Sequence, residues 1–226
     1  YKSDLSGKSD SVHVNHQTGL TQMINLKRFS TSDVFATARK PILWNMGNQM
    51  TGDTIHLISN VETEKLDSLK VFNNAFLISK DTLSEGFNQI KGQTLIGLFR
   101  DNALYNVDII KNAEVIYYSY NSENELVGIN KSLSALINIQ ITDNEIDEIR
   151  MIKQVDGLLY PEEDFPKNAR LFRGFDWREE EKPNSVEDLF KDDPPLVLPV
   201  IRGLEPYVPQ EEFFDEALLE RVEATK

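Results

Sequence analysis

His13 and His56 occupy matching places in two related phrases, Ser9-Asp10-Ser11-Val12-His13 and Gly52-Asp53-Thr54-Ile55-His56. An aspartate stands three residues before each histidine. Paired histidines beside acids could hold a metal or move protons, and paired carboxylates could hydrolyse a glycosidic bond. The pattern argues against both. A third copy, Gly92-Gln93-Thr94-Leu95, carries Gln93 where the acid stood, so the position does not demand a carboxylate. Each histidine follows an apolar residue, Val12 or Ile55, in alternating sequence. It is therefore expected on the polar, solvent-facing side of a strand. His16 falls in a turn. Asp10 and Asp53 are expected at turns or ladder ends, and Gly52 and Gly92 where a strand must approach closely. Cysteine is absent, which excludes disulfides, thiolate metal sites and thiol catalysis. No nucleophile elbow, phosphate loop, dinucleotide fingerprint or metal-ligand cluster is present. The reading is a non-enzyme without cofactor or metal. A glycosidase using Asp53 and a neighbouring carboxylate is the enzymatic alternative.

The elements that carry these residues recur. Asn48-Gln49-Met50-Thr51-Gly52-Asp53-Thr54-Ile55-His56-Leu57 returns forty residues later as Asn88-Gln89-Ile90-Lys91-Gly92-Gln93-Thr94-Leu95. Anchored on the hydroxyl residue, the copies fall at Ser11, Thr54, Thr94 and Ser132. A second half recurs as well: Leu66 to Leu77, with Asn73-Asn74-Ala75, resembles Leu104 to Val115, with Lys111-Asn112-Ala113. These halves alternate apolar and polar, as in Leu133, Ala135, Ile137, Ile139 and Ile141, with Leu136 as the exception. Polar turns separate them at 15–19, 60–65, 101–102, 121–125 and 143–144. Period two with one apolar face means antiparallel strands packed on one side. The fold class is therefore all-β: stacked antiparallel strands in an open β-jelly-roll or solenoid-like body of repeats of about 40 residues.

Periodicity stops near Tyr160-Pro161, and Ala169 to Trp177 is expected to cap the stack. The body is assigned to residues 1–182 and an acidic, proline-rich tail to 183–226. Six of the nine prolines lie in that tail. A short amphipathic C-terminal helix is expected over Glu211–Val222 from Phe213, Phe214, Ala217, Leu218 and Val222. The net charge is −13, and 179–226 holds fourteen acidic against five basic residues. No basic stripe suits nucleic acid. No run of 18 apolar residues forms a transmembrane segment, and no signal peptide is visible.

What remains is an apolar strand face. It is either a closed core or a trough for acyl chains. The residues assigned to the trough are Ile55, Leu57, Leu69, Val71, Leu95, Phe99, Val107, Ile109, Val115, Tyr117, Leu133, Ile137, Ile139 and Met151.

Ser9–His13, Pro41–Trp44, Asn48–Leu57 and Gly174-Phe175-Asp176-Trp177-Arg178 resemble the OstA-like (organic solvent tolerance) proteins of the Bacteroidetes. These are similar to the periplasmic lipopolysaccharide-transport proteins that bridge the two membranes of Gram-negative bacteria. The resemblance covers roughly residues 9 to 183. It implies an open β-jelly-roll in the periplasm, with lipopolysaccharide or a related glycolipid in the trough and no catalysis. It also implies other β-jelly-roll proteins as partners, paired edge to edge. Without the resemblance, a structural β-solenoid with a filled core, binding protein partners by its edges, is the alternative.

Overall fold

A computed structural model describes residues 5–25, 40–45, 47–143, 145–185 and 188. The chain divides into two units, 1–191 and 192–226, and every described residue lies in the first. The expected helix over Glu211–Val222, like most of the tail, lies outside the described residues.

Among the described residues, twelve antiparallel strands form one open sheet. They are β1 (Leu5–Lys8), β2 (Ser11–Asn15), β3 (Leu20–Ile24), β4 (Ile42–Asn45), β5 (Asn48–Thr51) and β6 (Thr54–Ser59), then β7 (Leu66–Lys80), β8 (Phe87–Arg100), β9 (Ala103–Tyr120), β10 (Leu126–Thr142), β11 (Glu145–Ile152) and β12 (Asp156–Tyr160). Strands β7 to β10 span 14 to 18 residues each, well beyond the usual five or six or so. Each runs through both halves of the sheet, because each is interrupted near its middle.

The interruptions line up. Asn73 and Asn74 in β7 are left-handed, with φ of 55° and 52°, as are Lys111 and Asn112 in β9, at 64° and 50°. Lys153 and Gln154, at 63° and 52°, separate β11 from β12. Facing these pairs, both ladders of β8 skip Gln93, with Gly92 still paired to Ala75 of β7, and the ladder of β10 with β9 skips Ala135. Gly52-Asp53 breaks β5 from β6, and the Asp53 N–H donates to the carbonyls of Phe72 and Asn73. The result is a crease running across the sheet. Gly52 and Gly92 are glycines because the strands close up there: a Cβ would fall 2.2 Å from Val71 Cγ1 or 2.4 Å from Ile109 Cγ2.

The crease divides the sheet into two leaves. One holds β1, β4, β5, the later part of β7, the early part of β8, the later part of β9, the early part of β10, and β12. The other holds β2, β3, β6, the complementary parts of β7 to β10, and β11. Apolar residues of both leaves, from Leu43, Met50, Leu77 and Val115 to Ile55, Leu69, Val107 and Ile137, form a single buried cluster. The leaves therefore fold face to face.

One strand row beside the crease runs Ser11, Ile24, Thr54, Phe72, Thr94, Ile110, Leu136, Ile152. The first three hydroxyl anchors of the repeat share it. The fourth does not. Its place is taken by Leu136, four residues beyond Ser132.

The segment after β12 does not cap the end of the stack as expected. It crosses the outer face of the first leaf. There Phe165 and Phe172 are buried with Phe76, Ile78, Ile116, Tyr118 and Ile129, and Phe175 and Trp177 pack alongside. Two glutamines clamp it. Gln89 donates from Nε2 to the Arg170 carbonyl at 2.7 Å and accepts from the Phe172 N–H at 2.9 Å. Gln49 repeats the pattern, donating to the Asp176 carbonyl at 2.6 Å and accepting from the Arg178 N–H at 2.7 Å. Both amides are fully buried. The duplicated Asn-Gln phrase therefore encodes two identical clamps, one per repeat.

The crease sets a test of the fold. Valine at 112 must adopt a left-handed conformation that disfavours a β-branched side chain by roughly 1–2 kcal/mol, whereas glycine adopts it freely. Asn112→Val should lower stability by about that amount in denaturant titration, and Asn112→Gly should leave it nearly unchanged. Equal effects would mean that the left-handed pair does not limit the fold.

Candidate functional site

The slot between the leaves is built from two inner rows of the second leaf. The first reads Val12, Met23, Ile55, Val71, Leu95, Ile109, Ile137, Met151, apolar at every one of eight strands. The second reads Val14, Thr21, Leu57, Leu69, Gly97, Val107, Ile139, Ile149. The first leaf opposes them with Leu43, Met50, Leu77, Ile90 and Val115, which continue in register to Ser132 and Gly157. Strand alternation sends these residues inward and their neighbours outward.

Thirteen of the fourteen trough residues meet here. Ile55, Leu69, Val71, Leu95, Phe99, Val107, Ile109, Val115, Ile137 and Ile139 are buried in the shared cluster, and Leu57, Tyr117 and Met151 pack against it. Leu133 does not join them. It is 48% exposed, paired with Glu114 and Asp156. The skipped residue Ala135 shifts the alternation of β10 by one. Before it Ser132 and Ser134 are the buried side; after it Ile137 and Ile139 are. Leu133 therefore faces out, and the apparent misfit of Leu136 in the sequence was the mark of this bulge.

The middle of the slot is filled by its own side chains. Toward the two ends of the sheet it is not. Val12 and Val14, at the start of the inner rows, are 54% and 48% exposed, and Leu159 at the opposite end is 51% exposed. Where the free ends of the leaves meet, a cavity of about 430 Å³ is lined by Tyr117, Ile141 and Ile146 together with Asn48, Ser79 and Asn88.

The residues first examined for chemistry lie elsewhere. His56 is on the outer face of the second leaf, against Gln22 at 3.0 Å and edge-on to Phe72 at 4.9 Å. Burial, and then the Lys70 charge, push its ionisation below the usual range, as expected for an imidazole kept neutral. Asp53 sits at the crease, where both of its carboxylate oxygens accept from Asn74 Nδ2. Among the described residues no group of three or more His, Cys, Asp or Glu is arranged to hold a metal ion. No described helix is long and apolar enough to cross a membrane, which says nothing about β-barrels.

Sequence reasoning missed Gln49 and Gln89 as functional parts of the body. Their signal was present: an amide at the same place in both copies, each directly before an apolar strand residue, Met50 or Ile90.

The bulge gives a direct check on which face is the slot. Ile137→Ala should cost about 2–5 kcal/mol in unfolding free energy, the range for a truncated core side chain. Leu133→Ala, four residues or about 13 Å of strand away but on the other side, should cost less than about 0.5 kcal/mol. Similar losses at both positions would place Leu133 back in the core.

No protein-family model matches the sequence, and no curated protein matches it. Among solved structures, the chain is similar to LptH of Pseudomonas aeruginosa, described as the LptA-homologous periplasmic component of the lipopolysaccharide transport device. The TM-score is 0.46 at 14% identity, covering 71% of this chain and 100% of that one.

Proposed function

We propose that this chain is a non-enzymatic, OstA-like lipid carrier of the periplasm, holding lipopolysaccharide acyl chains between its leaves during outer-membrane assembly. The observation that carries the reading is the inner row from Val12 to Met151. A closed core needs apolar residues only where it is covered. This row is apolar across every strand and stays so into exposed positions at its start. Burying an exposed valine or leucine against an acyl chain is favourable by about 25 cal/mol per Å² of apolar surface. Acyl chains entering at an end would displace side chains that are already in mutual contact, so the leaves must part. The crease supplies the hinge, since regular pairing shifts there between β7 and β8, β8 and β9, and β9 and β10. A polar head would remain at the mouth, beside Asn48, Ser79 and Asn88.

Photo-crosslinking tests this. A photoreactive residue at Val107, Ile109 or Ile137, incubated with lipopolysaccharide, should label the lipid strongly. The same residue at Gln140 or Leu133, on outer faces, should not. Labelling no stronger inside than outside would overturn the carrier reading.

A second reading, a body that joins protein partners edge to edge, is favoured by the exposed apolar residues on the end strands. Val12 and Val14 lie on β2, and Leu158 and Leu159 on β12. Terminal strands carry unpaired backbone groups that invite another strand. Head-to-tail contacts of this kind do not close, so open oligomers are expected. Light scattering should show mass rising with concentration, for the full chain or for a version truncated after Lys182. Strict monomers in both cases would exclude edge pairing, and oligomers released only by truncation would make the tail its cap.

A further inference from the structure

The outer side of the crease carries a groove that neither the slot nor the edges use. We propose that it binds an acidic oligosaccharide. Two adjoining cavities form it, of about 610 and 640 Å³, and they share Gln93, Asn112 and Glu114. One wall is the crease itself, and the other is the strap, at Arg173 and Gly174.

The crease presents amides at a fixed pitch. Asn74, Asn112 and Gln154 are each the second residue of a left-handed pair, the first two on β7 and β9 and the third at the junction of β11 and β12, beyond the intervening β10. Two strand spacings separate neighbours by about 9.5 Å, the length scale of a disaccharide. Gln93, on the strand between the first two, adds a fourth amide. An amide offers donors and an acceptor side by side, which suits vicinal hydroxyls. Among the described residues, the Gln93, Asn112 and Gln154 side chains make no hydrogen bond to the protein. Leu133, displaced from the core by the bulge, lines the second cavity and supplies an apolar patch for the carbon face of a pyranose.

The charge of the groove selects an acidic chain. Lys40, Lys91, Lys111 and Arg173 line it against Asp53 and Glu114, a positive balance in a protein of net charge −13. Glu114 is held by Lys91 at 3.0 Å and Asp53 by Asn74, so both anions are already engaged. Carboxylate- and phosphate-bearing saccharides share the needed chemistry. The former would come from a free polysaccharide, the latter from the core of a glycolipid.

Calorimetric titration of the full chain tests this with tetragalacturonate, with delipidated lipopolysaccharide core, and with neutral cellotetraose as the control. An acidic tetramer should bind at least tenfold more tightly than cellotetraose. If tetragalacturonate alone binds, the source is a free polysaccharide; if the core alone binds, it is a glycolipid; both outcomes support an acidic-saccharide site. Asn112→Gly and Gln154→Gly keep the left-handed backbone and remove the amides, and should weaken binding at least tenfold. Arg173→Gln, outside the sheet, should do the same, and thermal melting confirms that each variant is folded. No binding of either acidic ligand, binding untouched by these variants, or full displacement by inorganic phosphate at equimolar amounts would overturn the proposal. The photo-crosslinking of lipid from Val107 should be unchanged in Arg173→Gln, on the strap and outside the crease, so this site and the slot stand or fall separately.

Discussion

A strand of 18 residues can belong to two faces of a folded body only if it turns without ending. In this chain the turn is made by two consecutive residues with positive φ, a conformation that most side chains avoid by roughly 1–2 kcal/mol each. Asparagine tolerates it better than most, and asparagine supplies three of the four such positions inside β7 and β9. The left-handed pair keeps the alternation in phase: Val71 and Ala75, like Ile109 and Ala113, stay on the inner side across it. The neighbouring strands cannot follow with the same geometry. They accommodate by skipping residues, and the single skip at Ala135 inverts the faces of β10. The two solutions alternate across the sheet, so the repeat is a pair of strands and not one.

From this crease the rest follows. It lets the leaves face one another, which buries the inner rows. That leaves two outer faces with different solutions. The second leaf has a polar one, where Asn138 donates to Asn106 and Asp108, and Gln140 to Asn106 and Asn138. The first leaf has an apolar one, with Phe76, Ile78, Ile116 and Ile129, and it needs a cover. The strap provides it. Because a strap without strand pairing leaves backbone groups to satisfy, buried glutamines do so at two points forty residues apart in sequence. Lys131, in the same strand row but in the fourth copy, instead lies 6.0 Å from the rings of Phe165 and Phe172. The strap ends there in a cation over aromatic faces rather than in a third clamp.

Strand existence, antiparallel pairing and the two-strand repeat were legible because period-two alternation is a local signal. The inner face was legible for the same reason, and thirteen of its fourteen assigned residues come together. What failed was phase. Alternation counted through Leu133 to Ile141 assumes an unbroken ladder, and a one-residue bulge leaves no local trace except a misplaced Leu136. The fourth repeat anchor slipped by four residues at the same place, because Asn130-Lys131-Ser132-Leu133 imitates the phrase while Leu136 occupies its position. The strap was visible as a composition change and as aromatic residues. Its course over the outer face was not, since nothing near Phe165 or Phe172 in sequence names the partner that covers them.

The buried fraction of the slot and its exposed ends are one consequence of a finite stack. Every interior strand has a neighbour on each side to complete its inner surface. The first does not, so the same apolar rows that close in the middle open at Val12 and Val14, while at the other end they finish in Met151 and Ile149, packed against the core. A sheet that ended its function at its own boundary would place polar residues there, as edge strands commonly do to prevent association. The β2 end of these rows keeps valine instead. The apolar surface there is thus continuous with the interior, and a chain or strand docking on it would extend the core rather than cover a separate patch. In the proposed functions a lipid and a protein partner would meet at this same opening, which would link occupancy of the slot to end-to-end assembly.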